Sequence, residues 1–182
     1  MIINSTYFIN EIFIAGQANS VDVDSSRSKL SGFISKYEPK FLTELLGEDL
    51  YSDLTAGLLE VPIPQKWTDL KNALANDATK ESPIANYVYY WYLRNASSTT
   101  VEVGESMQLT ENANRVSSID KQVRAWNEMI DLNKKVIIFL NQNTSDYPNW
   151  GARTPIHFGW AYGNFLLCRG YDLIQYINSI NL

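Results

Sequence analysis

The sequence predicts an all-α protein: a helical bundle of about five to six helices with a β-hairpin insertion and extended N- and C-terminal arms. Three observations carry this reading. Apolar residues recur at helical spacing through most of 24–143, capping residues, prolines and glycines punctuate them, and the period lapses at 1–23, 97–116 and after 143. A chain of 182 residues that is 45% hydrophobic can bury a core without disulfide or metal staples. The domain reading is therefore an N-terminal arm at 1–23, a helical body at 24–143 with its hairpin at about 99–112, and an aromatic-rich extension at 144–182.

In order along the chain, Tyr7-Phe8-Ile9 and Ile12-Phe13-Ile14 are β-prone clusters without helical period, read as an extended arm. Asp24 or Ser25 then caps a helix whose face is Leu30, Phe33, Ile34 and Tyr37. Pro39 is expected to open a new helix, because inside one it removes a hydrogen bond; Phe41, Leu42, Leu45 and Leu46 follow, and Gly47 closes the helix. Glu48 and Asp49 begin a helix with Leu50, Leu54 and Leu58 inward, their charge matched to the helix dipole. Beyond the loop at Pro62 and Pro64 comes a short helix carrying Trp67, Leu70 and Leu74.

Ser82-Pro83 is a helix start, and the segment behind it, Tyr87-Val-Tyr-Tyr-Trp-Tyr-Leu93, is apolar on every side, as a central helix should be. Thr99-Thr-Val-Glu-Val103 and Met107-Gln-Leu-Thr110 read as two strands around a Gly104-Glu105-Ser106 turn. Ser117 with Asp120 resembles a capping box opening the longest helix, about 118–143, with a core face of Ile119, Val123, Trp126, Ile130, Ile137 and Leu140. From 144 to 164 prolines and glycines alternate with Trp150, Phe158, Trp160 and Tyr162, so this segment has to dock on something; a last short helix is expected at about 171–180.

Composition excludes several function classes. Fifteen basic against twenty acidic residues, a net charge of −5, argue against a basic nucleic-acid binder. No stretch approaches the roughly 18–20 apolar residues of a membrane span, and 1–18 lacks the basic start of a signal peptide. One cysteine, Cys168, and one histidine, His157, leave no intrachain disulfide and no Cys/His metal framework. Their spacing matches no hydrolase signature, so no catalytic residue is assigned. The acidic cluster Glu44, Glu48, Asp49 and Asp53 reads as a solvated helix face, and no phosphate loop or dinucleotide fingerprint is present, so no cofactor or metal is expected. The arm, hairpin and extension are apolar yet weakly self-sufficient. They are the candidate contact surfaces, through Tyr7, Phe8 and Ile9, then Val101, Val103, Met107 and Leu109, then Trp150, Phe158, Trp160 and Tyr162.

Three strings, Ile34-Ser-Lys-Tyr-Glu-Pro-Lys-Phe-Leu-Thr-Glu-Leu-Leu-Gly-Glu-Asp-Leu-Tyr51, Ser82-Pro-Ile-Ala-Asn-Tyr-Val-Tyr-Tyr-Trp-Tyr92, and Arg115-Val-Ser with Val123-Arg-Ala-Trp-Asn-Glu-Met129, resemble the small helical head-to-tail connector, or neck, proteins of tailed phages of the crAss-like and related Bacteroidetes type. The resemblance spans roughly residues 25–135. It implies a structural virion protein without catalysis, a homo-oligomeric ring adaptor of twelve subunits between the portal protein and other neck or tail proteins. That ring would line the exit channel, touching genomic DNA without sequence-specific binding, and the protein would reside in the virion neck and, during assembly, in the host cytoplasm. The alternatives are another neck or tail-completion protein, or a cytosolic ligand-binding domain or enzyme with its pocket near His157.

Overall fold

The computed structural model describes residues 1–14, 23–96, 99–101, 104–106 and 118–151. They are mostly helical: α1 (Val23–Leu46), α2 (Glu48–Gly57), α3 (Gln65–Leu74), α4 (Pro83–Ala96), α5 (Ile119–Gln142) and a single turn, α6 (Pro148–Gly151). The all-α class expected from periodicity holds. The core lies along α4, which packs most extensively on α5 and then on α1, while α2 and α3 close the sides.

Local chemistry explains most of the boundaries. Gly47 adopts φ 87°, a left-handed conformation that suits glycine, and its N–H donates to the Thr43 carbonyl at 2.9 Å as α1 ends. Ser82 caps α4: its Oγ accepts from the Ala85 N–H at 3.4 Å and donates to the Leu74 carbonyl at 2.8 Å, tying the start of α4 to the end of α3. In α4, Ile84, Ala85, Tyr87 and Val88 are fully buried, and Tyr90 meets Trp126 of α5 with ring centroids 4.7 Å apart.

Four expectations are corrected. Pro39 does not start a new helix; it lies inside α1. A mid-helix proline costs ~3 kcal/mol. Leu30, Ile34 and Tyr37 before it and Phe41, Leu42, Leu45 and Leu46 after it form one buried face, and each such side chain contributes about 1.5–3 kcal/mol. The burial therefore outweighs the penalty, and Ser35 and Pro39 are both exposed, so water can serve the carbonyl that the proline leaves without a donor.

The hairpin is not supported as expected. Gly104–Ser106 is no turn: it pairs antiparallel with Thr99–Val101, in register Thr99 with Ser106 and Val101 with Gly104. The expected second strand at 107–110 lies outside the described residues.

The start of α5 and the phase of its face also differ. Ser118, not Ser117, precedes the helix, and its Oγ accepts from Gln122 Nε2 at 2.8 Å rather than from a backbone N–H. Val123, Trp126, Ile130 and Leu140 are buried as expected, but Ile119 is exposed and Ile137 only partly covered, while Met129, Leu132 and Val136 are buried. The buried stripe of α5 spans two adjacent helix rows rather than one.

Finally, the N-terminal segment is not extended. It forms two 3₁₀ turns, Ser5–Tyr7 and Asn10–Ile12, laid on its own body with Ile3, Tyr7, Phe8, Ile12 and Ile14 buried. Glu38 of α1, itself buried, accepts the N–H groups of Ile2 at 2.8 Å and Ile3 at 3.0 Å. Two charge-assisted bonds hold the chain's first residues against α1.

Candidate interaction surfaces

The residues singled out for contact fall into three sets. Tyr7 and Phe8 are core residues of their own chain, 1% and 2% exposed; of that trio only Ile9 reaches the surface. Trp150 is likewise buried, its Nε1 donating to Asn141 Oδ1 at 2.8 Å, because Tyr147 and the turn after it fold back onto α2, α3 and α5. Val101 belongs to the first short strand. Val103, Met107, Leu109, Phe158, Trp160 and Tyr162, together with His157, Cys168 and the expected helix at 171–180, lie outside the described residues.

A surface that periodicity did not single out is the α2–α3 connection. Leu59 is 80% exposed, Val61 97% and Ile63 47%, three aliphatic side chains within five residues. Pro62 and Pro64 alternate with them and limit the backbone, so an ordered loop here loses little entropy on meeting a partner. The base of the loop is fixed. Leu59 and Glu60 donate to the carbonyls of Ala56 and Gly57, and Gly57 sits so close to the Trp67 indole that a Cβ there would lie 1.9 Å from Nε1. On its other side Trp67 meets the Tyr147 ring at 5.8 Å, and the Tyr147 hydroxyl donates to the Lys66 carbonyl. The sequence signal was available: alternating aliphatic residues among prolines can satisfy neither a helix face nor a paired strand.

A second surface is a groove of about 280 Å³ between the N-terminal segment, the loop before α4 and the first half of α5. Ile9, Ile12, Ala125 and Leu132 supply apolar lining; Lys80, Lys121 and Arg124 add cations, and Glu11, Glu81 and Glu128 add carboxylates. One wall is organised by Asp77, which accepts from the Tyr7 hydroxyl at 2.8 Å and from Lys80 Nζ at 3.1 Å. The two donors, Tyr7 first, hold the Asp77 carboxyl below its ordinary range. Lys121 and Arg124 are exposed and make no ion pair among the described residues.

The third surface is the aromatic seam of α1 and α4. Tyr37 stacks on Trp91 at 5.2 Å with the rings 4° from parallel, and Lys40 lies 5.6 Å from the Trp91 ring. Nearby, burial pushes the Glu44 carboxyl up, opposed by Lys40, and burial also raises the Tyr87 phenol. The acidic cluster is thus not uniformly a solvated face: Glu48 and Asp49 are exposed, Glu44 is half-buried, and Asp53 accepts from Asn149 Nδ2 at 2.6 Å.

Among the described residues no group of three His, Cys, Asp or Glu side chains could hold a metal ion, and no helix is long and apolar enough to cross a membrane. No protein family, curated protein or solved structure matches the chain.

Proposed function

We propose that this chain is a structural, ring-forming subunit of a phage head-to-tail connector, a non-enzymatic adaptor between portal and tail. The observation that carries the reading is where the connector-like strings fall. Their described parts occupy the α1–α2 corner, the first three turns of α4 and, through residues 123–129, the early part of α5, and these elements pack on one another as the core of the body; 115–117 lie outside the described residues. The resemblance therefore covers one contiguous packing unit rather than scattered surface matches.

Two further features agree. A ring adaptor needs a rigid body with non-identical surfaces for its neighbours, and the 58–64 loop presents exposed aliphatic side chains on a fixed base. A net charge of −5 suits a conduit whose wall has to release phosphates rather than bind them. Twelve subunits, the portal as direct partner and the virion neck as location come with the proposal.

Electron microscopy of the virion, or of the protein co-expressed with its portal, tests it. Density for this chain as a closed ring on the portal axis is the expected result; absence from the particle overturns the proposal. Deleting 100–110 should leave a folded helical body that no longer joins the ring. Assembly of that variant would show that the segment is not the connector.

A further inference from the structure

We propose that the 58–64 loop of one copy seats in the groove beside the N-terminal segment of the next, making a head-to-tail contact between two different surfaces of the same chain. This rests on the ring reading above and names one contact between neighbours in that ring, separate from the 100–110 segment.

Loop and groove are complementary in apolar character. Leu59, Val61 and Ile63 project into solvent from a loop stiffened by two prolines, and Ile9, Ile12 and Leu132 line the groove. At about 280 Å³ the groove has room for a few aliphatic side chains.

The two surfaces also differ in charge. Glu60, between Leu59 and Val61, is exposed without an ion pair among the described residues, and so are Lys121 and Arg124 at the groove. The carboxylates Glu11, Glu81 and Glu128 share that rim, so the groove is not a general anion trap. It fits a segment that brings a carboxylate with a cation close behind it: Glu60 lies in the loop, and exposed Lys66 follows at the start of α3.

The two surfaces lie at different places in the fold. The loop leads into α3, whereas residues 79–81 of the groove follow it. In the same copy Leu59, Val61 and Ile63 stay exposed and no residue of the loop lines the groove, so a copy does not fill its own groove with its own loop. Unlike surfaces held at a fixed offset produce a heterologous contact, which closes into a ring when the rotation allows.

The test uses full-length chains with one surface disabled, Val61→Asp for the loop and Arg124→Glu for the groove. Both positions are exposed, and thermal melts confirm that each variant folds. Sedimentation equilibrium from micromolar to near-millimolar concentration then reads self-association. Each variant alone should associate at least tenfold more weakly than wild type. Mixed one to one, they should form a dimer and nothing larger, because each brings a single working surface. Charge reversal in one chain, Glu60→Arg with Arg124→Glu, should recover most of what either reversal loses. Val61→Asp and Arg124→Glu chains that both close rings like wild type would overturn this contact while leaving the ring reading intact. A wild type that makes only open chains, with the mixed variants still dimerising, would keep the contact and remove the closed ring. Monomers in every sample would remove both.

Discussion

Helix α4 and the 58–64 loop are comparably rich in large apolar side chains and dispose of them in opposite ways. In α4 they point in every direction and are buried from Ile84 to Tyr90 and partly covered from Trp91 to Leu93, because α1 lies on one side and α5 on the other; Ile84, Tyr87 and Val88 are fully buried. In the loop Val61 is 97% exposed. The difference is not one of hydrophobicity. A helix lets its neighbours in the same chain align along a shared axis, whereas a proline-interrupted loop projects side chains where no element of the described chain follows them. Buried apolar residues of this protein hold the fold, and the exposed ones are free to hold something else.

The largest effect on the covered residues is expected at Trp126. It is fully buried and touches both Tyr87 and Tyr90, at 6.1 and 4.7 Å between ring centroids. Trp126→Ala should cost about 3–5 kcal/mol through lost contact and an unfilled cavity. At ~2–4 °C per kcal/mol for a chain of this size, the melting temperature should fall by about 10 °C or lose its cooperative transition. A fall no larger than that of a surface variant would mean the α4–α5 seam is not the centre of stability.

Next come two positions that tie peripheral chain to the body. Glu38→Ala leaves the buried Ile3 N–H without its acceptor and should cost about 1–3 kcal/mol. Amide exchange should show the loss concentrated at the first residues, with α4 protected as before. Gly57→Ala drives a methyl into the Trp67 indole and should cost about 1–3 kcal/mol by overpacking, with a change in tryptophan emission. Unchanged stability in Gly57→Ala would show that the base of the loop yields, against the picture of a rigid projection.

These positions also separate what local sequence can reveal from what it cannot. The Gly47 stop, the acidic start of α2 and Ser82-Pro83 were legible because each signal acts within a turn of its own residue. Pro39 was not, since its local penalty is overruled by a stripe of leucines and aromatics that pays only when α4 is present. The phase of α5 failed for a related reason: Ile119 and Met129 are both apolar, and only the position of the partner helix decides which is covered. Glu38 gave no signal at all, because its role depends on Ile2 and Ile3 some 35 residues away. Among the contact candidates, an aromatic cluster in a segment without period is equally compatible with docking on its own body, which is what Tyr7, Phe8 and Trp150 do.

A smaller effect is expected at alkaline pH, and it again follows burial. Burial, helped by Asp69 and Asp146, pushes the Tyr147 phenol up to about 12, and burial raises Tyr87 as well. A phenol that stays protonated in the folded state while the unfolded chain ionises near pH 10 means the native state binds more protons there, so stability falls as pH rises from about 10 towards 12. Tyr147→Phe should flatten part of that fall while lowering stability at neutral pH, since the hydroxyl's bond to the Lys66 carbonyl is lost. An alkaline limb identical to wild type would show that Tyr147 titrates as an exposed phenol.

The smallest expected change is the sharpest for the comparison. Replacing Leu59 and Val61 together by serine removes two large aliphatic side chains, a substitution that in α4 would abolish folding. In the loop these groups already lie largely in water, so the folded and unfolded chains lose nearly the same apolar hydration and the difference nearly cancels. The variant should melt within about 0.5 kcal/mol of wild type at low protein concentration, the range of ordinary surface changes. The condition matters, because any contact these residues make with another copy stabilises the folded state by mass action and makes the melting temperature rise with concentration. Wild type should therefore part from the variant as concentration increases, and the gap measures the contact without requiring its structure. A large loss at high dilution would mean instead that the aliphatic residues of the loop act within their own chain, and the division between residues that hold the fold and residues free to bind would fail where it is drawn most clearly.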